Sequence, residues 1–476
     1  MFGTAAKANR KFTWALMAIS MANFTASMGS QLVNVSLPSI SQEFGIGSNV
    51  AIWIVIVYGL VLSSFLLTFG RAGDVYGYKR VFALGMLVLA IGSLVGSLAP
   101  NIEVLIVARA IQALGTAMYS AMAYALVAII VPKGELGRSI GVVTMFGALG
   151  FSLGPIVGGV VTEYAGWRYA LLACVPMVMV TLLLTKRLLP DDAPVSPGHS
   201  FDRTGSALLF LALLTFIFPM NMGQTLGWTS PLILGSLALC PVMFLLLVWV
   251  ERRVEDPVIR TDLFRDKKLL RINLLSMAII LPYAGSMVVL PFYFENVRGI
   301  GVTDAGLLIM CISLGVTVFG PVAGRASDRY GPKRICAIGL TLTAAGTAIL
   351  LTLNTTTPIL VILASSSLIG CGVGIFNPAA FQYVLNNSLR EVKGAASGML
   401  QTSRRISTVI GVAMMSVVYN VVFAAQEIPV DSGSSLALSP HLVHDFALGA
   451  GLVIILIGIL VVLAIIVHDG RKVPAA

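Results

Sequence analysis

A chain of 476 residues, 57% hydrophobic and 11% charged with a mean hydropathy of +0.93, is not a soluble globular protein, whose charged share averages about 25%. Its net charge of +10 does not mark a nucleic-acid binder, because the basic residues sit in short loops between apolar segments and form no stripe. Cys174, Cys240, Cys311, Cys336 and Cys371 are scattered through apolar stretches without paired spacing, so neither a disulfide framework nor a metal site is predicted, and the chain reads as an all-α polytopic membrane protein.

A membrane span needs about 20 mostly apolar residues. Fourteen segments qualify, at 12–37, 50–70, 81–99, 102–131, 139–162, 166–185, 204–222, 230–250, 270–294, 303–324, 335–353, 357–386, 395–424 and 443–467. Lys7, Arg10 and Lys11 before the first run would also suit a signal peptide, but a first spanning helix has the same pattern and the segment is kept as span 1. That span carries Asn23, Ser27, Gln31 and Asn34 on one helical face and no charge. Such a stripe either lines a cavity or hydrogen-bonds to neighbouring helices.

Between spans 2 and 3 lies GRAGDVYGYKR, 70–80. Gly70 and Gly77 would permit a tight reversal, Asp74 could accept from the free N–H groups opening span 3, and Lys79 and Arg80 would hold the loop at the membrane face. Span 4 contains ARAIQALG, with Arg109 roughly 10 Å below the outer end at 1.5 Å per residue and Gln112 one turn on. Arg109 either snorkels outward or faces a cavity, since intramembrane charge is costly and usually functional.

In span 5, Gly147, Gly150, Gly154 and Gly158 share one face, with Pro155 as an expected kink. This small face is expected to pack against a helix of the other half of the molecule. After spans 7 and 8 and the ninth, GRASDRYGPKR at 324–334 repeats the earlier loop at eight of eleven positions, supplying Gly324, Asp328, Gly331, Lys333 and Arg334. Span 12 offers Asn377, Pro378 and Gln382 among small residues, suited to a cavity wall or to interhelical hydrogen bonds. Span 13 carries Arg404 and Arg405 near its inner end; consecutive residues diverge by about 100°, so at most one is expected to face a cavity squarely unless both snorkel.

An even span count puts both termini on one side, and the Lys/Arg distribution supports it. All but five of the 31 basic residues fall on the N-terminal side: Arg168 and Arg298 lie opposite, and Arg109, Arg404 and Arg405 lie within spans. Both termini are therefore predicted cytoplasmic. The two like loops are eight spans apart on that same side, and internal repeats of this kind mark transporters whose halves rock about a central site.

The loop GRAGDVYGYKR, with Gly70, Arg71, Asp74, Gly77, Lys79 and Arg80, resembles the cytoplasmic loop motif of the major facilitator superfamily. ARAIQALG resembles its helix 4 motif, GALGFSLGPIVGG at 147–159 its exporter helix 5 motif, and LVNVSLP at 32–38 the helix 1 motif of its fourteen-helix drug/proton antiporter branch. The resemblance implies two six-helix halves, 1–186 and 270–476, with two inserted spans in 187–269. It further implies a plasma-membrane exporter of small amphiphilic molecules that works as a monomer, with no cofactor beyond the proton gradient that drives it. The paired loops would latch the cytoplasmic side. Asn23, Ser27, Gln31, Asn34, Arg109, Gln112, Asn377, Gln382 and Arg404 would line the transport cavity, Arg404 standing where the branch often has arginine.

One departure has mechanistic weight. Where the branch commonly has Asp, five residues before the Asn of its VN-type motif, this chain has Gly29. None of the 21 acids falls at the membrane centre, so Glu103, Glu295, Asp74 and Asp328 remain as proton-carrying candidates, and a neutral or anionic substrate is favoured over a cation. An importer or facilitator of such a metabolite is the alternative reading. An enzyme is disfavoured, because His199, His441, His444 and His468 lie in loops or beyond a helix end, and no HExxH or GxSxG occurs.

Overall fold

Backbone that crosses a bilayer must satisfy its own N–H and C=O groups, which for apolar segments of this length means helices. The computed structural model describes residues 2–424 except 47, 52, 133, 190–201, 255–265, 293, 295–297, 299, 301, 351–356 and 390–391. The predicted span at 443–467 lies outside the described residues. Helices run α1 (Phe2–Phe44), α2 (Ser48–Ala51), α3 (Trp53–Tyr76), α4 (Tyr78–Ser97), α5 (Ile102–Ile130), α6 (Leu136–Tyr164) and α7 (Trp167–Leu188). They continue as α8 (Arg203–Leu226), α9 (Pro231–Glu251), α10 (Lys267–Phe292), α11 (Val302–Tyr330), α12 (Pro332–Leu350), α13 (Ile359–Asn387) and α14 (Lys393–Ala424). Among the described residues, ten helices are long and apolar enough to cross a membrane.

Local chemistry sets the boundaries. Asn101 caps α5 by accepting from the Val104 N–H at 3.0 Å, and Asp202 caps α8 by accepting from the Gly205 N–H at 2.8 Å. Each repeated loop shrinks to one residue, Gly77 at φ 97° and Gly331 at φ 87°, a left-handed conformation that glycine adopts without strain. The expectation that Gly70 also turns the chain is corrected: Gly70 and Gly324 are inside α3 and α11, and what they supply is a bare helix surface.

In the first predicted half, α1 packs on α6 and α7, α4 on α5 and α7, and α3 on α5; in the second, α13 packs on α11 and α12, and α10 on α14. The two sets meet where α6 crosses α11 and where α3 crosses α14. Helix α8 leans on α3 through stacked Phe210 and Phe65, ring centroids 4.7 Å apart, and α9 is tied to it by the Ser236 hydroxyl donating to the Thr215 carbonyl at 3.0 Å. Much of α9 is uncovered, with Leu232, Leu234, Val242, Leu245 and Trp249 exposed, as suits a helix whose outer face meets lipid.

Candidate functional site

At one end of the bundle the repeated motifs make a crossed pair of contacts. The Asp74 carboxylate, at the end of α3, accepts from the Gly394 and Ala395 N–H groups of α14 at 2.9 and 3.0 Å and from the Tyr78 hydroxyl at 2.6 Å. Asp328, at the end of α11, accepts from the Gly137 and Arg138 N–H groups of α6 at 2.7 and 2.8 Å and from Gln382 Nε2 at 2.7 Å. Each aspartate thus satisfies the orphan donors of a helix in the opposite set, where the helix dipole also favours negative charge. The sequence expectation that Asp74 would serve the helix following its own loop is corrected, because Gly77 turns α4 so that Tyr78, not a free N–H, meets the carboxylate.

Glycines make this approach possible. A Cβ on Gly70 would stand 2.8 Å from the Gly394 carbonyl oxygen, and one on Gly141 would stand 2.5 Å from that of Gly320. Gly324 lies backbone to backbone against Gly137. Gly137 and Gly141, Gly320 and Gly324, and Gly394 and Gly398 are each spaced by four, so each pair presents one small face at a crossing. The face formed by Gly147, Gly150, Gly154 and Gly158 does something else. It packs on Asn23, Phe24, Gln31 and Leu32 of α1, within the same predicted half, and so corrects the expectation of a contact between the predicted halves. Pro155 lies within this α6 segment.

The other motif residues anchor or stay exposed. Lys79 Nζ donates to the Leu189 carbonyl at 2.6 Å beside the C-terminus of α7, where a cation meets the negative end of the helix dipole. Arg71 is buried, whereas Arg80, Lys333 and Arg334 are exposed. At the far end of the bundle, Glu43 pairs with Arg168 and accepts from Trp167 Nε1 at 2.7 Å. The Arg168 hydrogen bond holds the Glu43 carboxyl below the usual carboxylate range against the opposing effect of burial.

Above the crossed contacts is a cavity of about 520 Å³. Seven predicted residues line it: Asn23, Ser27, Gln31 and Asn34 from α1, Arg109 from α5, Asn377 from α13 and Arg404 from α14. Its motif-side floor joins the two sets, with Tyr124 stacked on Phe381 at 3.8 Å between centroids and Gln401 Nε2 donating to the Ser120 carbonyl at 2.7 Å. Two predictions are corrected in place. Gln382 is drawn out of the cavity by Asp328 and Ser327, and Gln112 sits behind Arg109, donating to the Ser93 hydroxyl at 2.7 Å. One is corrected in number: Arg405 lines the cavity beside Arg404, because long flexible stems span the angle between neighbouring helix positions.

Arg109 does not snorkel. It is 1% exposed, with Nε donating to the Ile54 carbonyl at 3.3 Å, Nη1 donating to Gln112 Oε1 at 2.8 Å, and its guanidinium 4.3 Å from the Tyr58 ring centroid. Nη2 has no partner. A void of about 10 Å³ beside it is lined by Gly29, Cys174 and Gln112, so the position where the fourteen-helix branch carries Asp adjoins this arginine and is absent from the lining of the main cavity. A Cβ on Gly29 would meet Cys174 Sγ at 3.1 Å, a contact that needs a small adjustment. Gly29→Asp is therefore expected to pair with Arg109 and remove one positive charge from the cavity wall. The measurable outcome is a several-fold rise in the cation-to-anion transport ratio in proteoliposomes; an unchanged ratio in folded protein would count against the pairing.

The sequence reading missed the pairing of the glycines and the aromatic floor, and it expected no more than one of Arg404 and Arg405 at the cavity. Spacing by four was visible for the glycines, but nothing local shows which helix each faces.

The sequence profile of the Major Facilitator Superfamily matches residues 19–412. The multidrug resistance protein Stp of Mycobacterium tuberculosis is 29% identical over 408 residues, covering 86% of this chain and 76% of that protein. The riboflavin transporter RibZ of Clostridioides difficile is 28% identical over 404 residues, 84% of this chain and 87% of that one. Among solved structures, the human organic anion transporter MFSD10 superposes with a TM-score of 0.68 at 15% identity, covering 94% of this chain and 99% of that chain, a likeness of fold.

Proposed function

The chain belongs to the major facilitator superfamily, a family of multi-pass membrane transporters and not of enzymes, and on that premise we propose that it is a secondary active exporter of small amphiphilic compounds. The observation that carries the reading is the crossed pair of aspartate contacts closing one end of the bundle beneath a polar and aromatic cavity. In this reading the motif end is cytoplasmic, the described conformation faces outward, and alternating access consists of breaking the α3–α14 and α6–α11 contacts so that the cavity opens inward. The halves 1–186 and 270–476 are the moving bodies. Helices α8 and α9 are the inserted pair of a fourteen-span monomer in the plasma membrane. The resemblance to a multidrug-resistance relative supports export.

Proton antiport is the proposed coupling. Among the described residues, which do not include the candidate Glu295, no carboxylate lines the cavity, so the proton-linked groups are assigned to Asp74 and Asp328, whose ionised forms accept the helix N–H groups and whose protonated forms would hold them less well. A second reading, an importer of a neutral or anionic metabolite, is favoured by the riboflavin-transporter relative and by the arginines of the cavity. Purified protein in proteoliposomes with an imposed pH gradient separates the two. Export predicts substrate movement opposite to the proton gradient; movement with the gradient supports import, and movement indifferent to it overturns the coupling.

A further inference from the structure

We infer that the cavity accepts an aromatic organic anion, whose acidic group is held by Arg404 and Arg405 and whose ring lies between Phe151 and Tyr283. The inference rests on reading the cavity as the substrate path. Among the described residues, three guanidinium groups line it and no carboxylate does. They are not equivalent. Arg109 is almost fully buried and already engaged by Tyr58, Gln112 and the Ile54 carbonyl. Arg404 faces the Phe381 ring, 5.6 Å from its Cζ, with the neutral Tyr124 and Tyr283 nearby, and Arg405 is exposed. Neither is paired with a carboxylate among the described residues.

Two adjacent cations at membrane depth repel one another and sit where charge is costly. An anion between them relieves both problems, and planar guanidinium forks match the geometry of a carboxylate. Counted at 1.5 Å per residue from the motif-side helix ends, Arg404 stands about 16 Å up α14 and Arg109 about 31 Å up α5. The pair is therefore near the floor, and Arg109 is well above it. Phe151 on α6 and Tyr283 on α10 line the same space from opposite sets of helices. Asn23, Ser27, Asn377 and Thr408 add neutral hydrogen-bonding groups. A cavity of about 520 Å³ suits a drug-sized molecule. Among the described lining residues, a lipophilic cation of the same size would meet three positive charges and no counter-charge.

The test is equilibrium binding to the full chain in nanodiscs with three tritiated probes of equal size: naphthoate, naphthamide and naphthylmethylammonium. Naphthoate is expected to bind at least tenfold more tightly than the other two. The Arg404→Gln, Arg405→Gln double variant should erase that preference through loss of naphthoate binding, and lysine at both positions should retain most of it. Equal or tighter binding of the cation, a preference that survives the double variant, or no binding of any probe overturns the proposal. Counterflow in proteoliposomes keeps the transport reading separate: arginine-dependent naphthoate binding without movement leaves the anion site standing and removes transport, whereas robust movement of cations alone does the reverse.

Discussion

Asp74→Ala combined with Asp328→Ala should open the motif end and abolish gradient-driven transport. Each carboxylate accepts two backbone N–H groups from a helix of the opposite set. A hydrogen bond to a charged group contributes about 1.5–3 kcal/mol, so removing even one carboxylate shifts the balance between closed and open forms by roughly 3 kcal/mol or more, over a hundredfold in population. Both N–H groups also lie in the first turn of their helices and lose a favourable interaction with the dipole. Ser139, on α6 and 1% exposed, offers a reporter. In a background lacking the five native cysteines, Ser139→Cys should react slowly with a membrane-impermeant maleimide in inside-out vesicles, and about a hundredfold faster once both aspartates are replaced. Asp74→Asn, which keeps the shape and one acceptor oxygen, should fall between. An unchanged labelling rate would show that the contacts are decoration.

The second large effect concerns Gly141. Leucine there would drive its Cβ to 2.5 Å from the Gly320 carbonyl oxygen and 2.9 Å from Pro321 Cα, atoms of another helix backbone that cannot swing aside. Gly141→Leu is expected to fold, since the clash falls between the two sets and not within one, but to hold α6 and α11 apart. Transport should drop at least tenfold while the thermal midpoint changes little. Gly154→Leu is the contrasting case: its Cβ would meet Gln31 Cβ at 2.6 Å inside the α1–α6 contact, so it should lower the midpoint itself. If both variants lose stability alike, the distinction between a moving and a static glycine face fails.

Much of the architecture was legible because it is written locally. Apolar runs of span length, loop charge, and the repeated GRAxDxYGxKR phrase each depend on a few neighbouring residues, and they located α3 to α7 and α10 to α14 within six positions at either end. The stripe Asn23, Ser27, Gln31, Asn34 was legible for the same reason, since helical period fixes which residues share a face. Partnership was not. Asp74 and Ala395 are 321 residues apart, and nothing near either names the other. Gln382 looked like a cavity residue because it is polar in an apolar helix; its neighbour Asp328, 54 residues away, decides that it faces the closure instead. The glycine face of α6 packs on α1 and not on the partner expected for it, because a small face specifies how near a helix can come but not which helix.

The two aspartates are matched in geometry and mismatched in their access to water. Asp74 is 0% exposed, and its bonds to α14 are buried, whereas Asp328 is only partly covered and its bond to Arg138 lies at the surface. Solvent can compete for Asp328 before any helix moves, but reaches Asp74 only after helices have parted. Separation would then begin along α6 and α11 and finish along α3 and α14, as a seam opens from its wet edge, so that two copies of one repeated phrase act in succession instead of together.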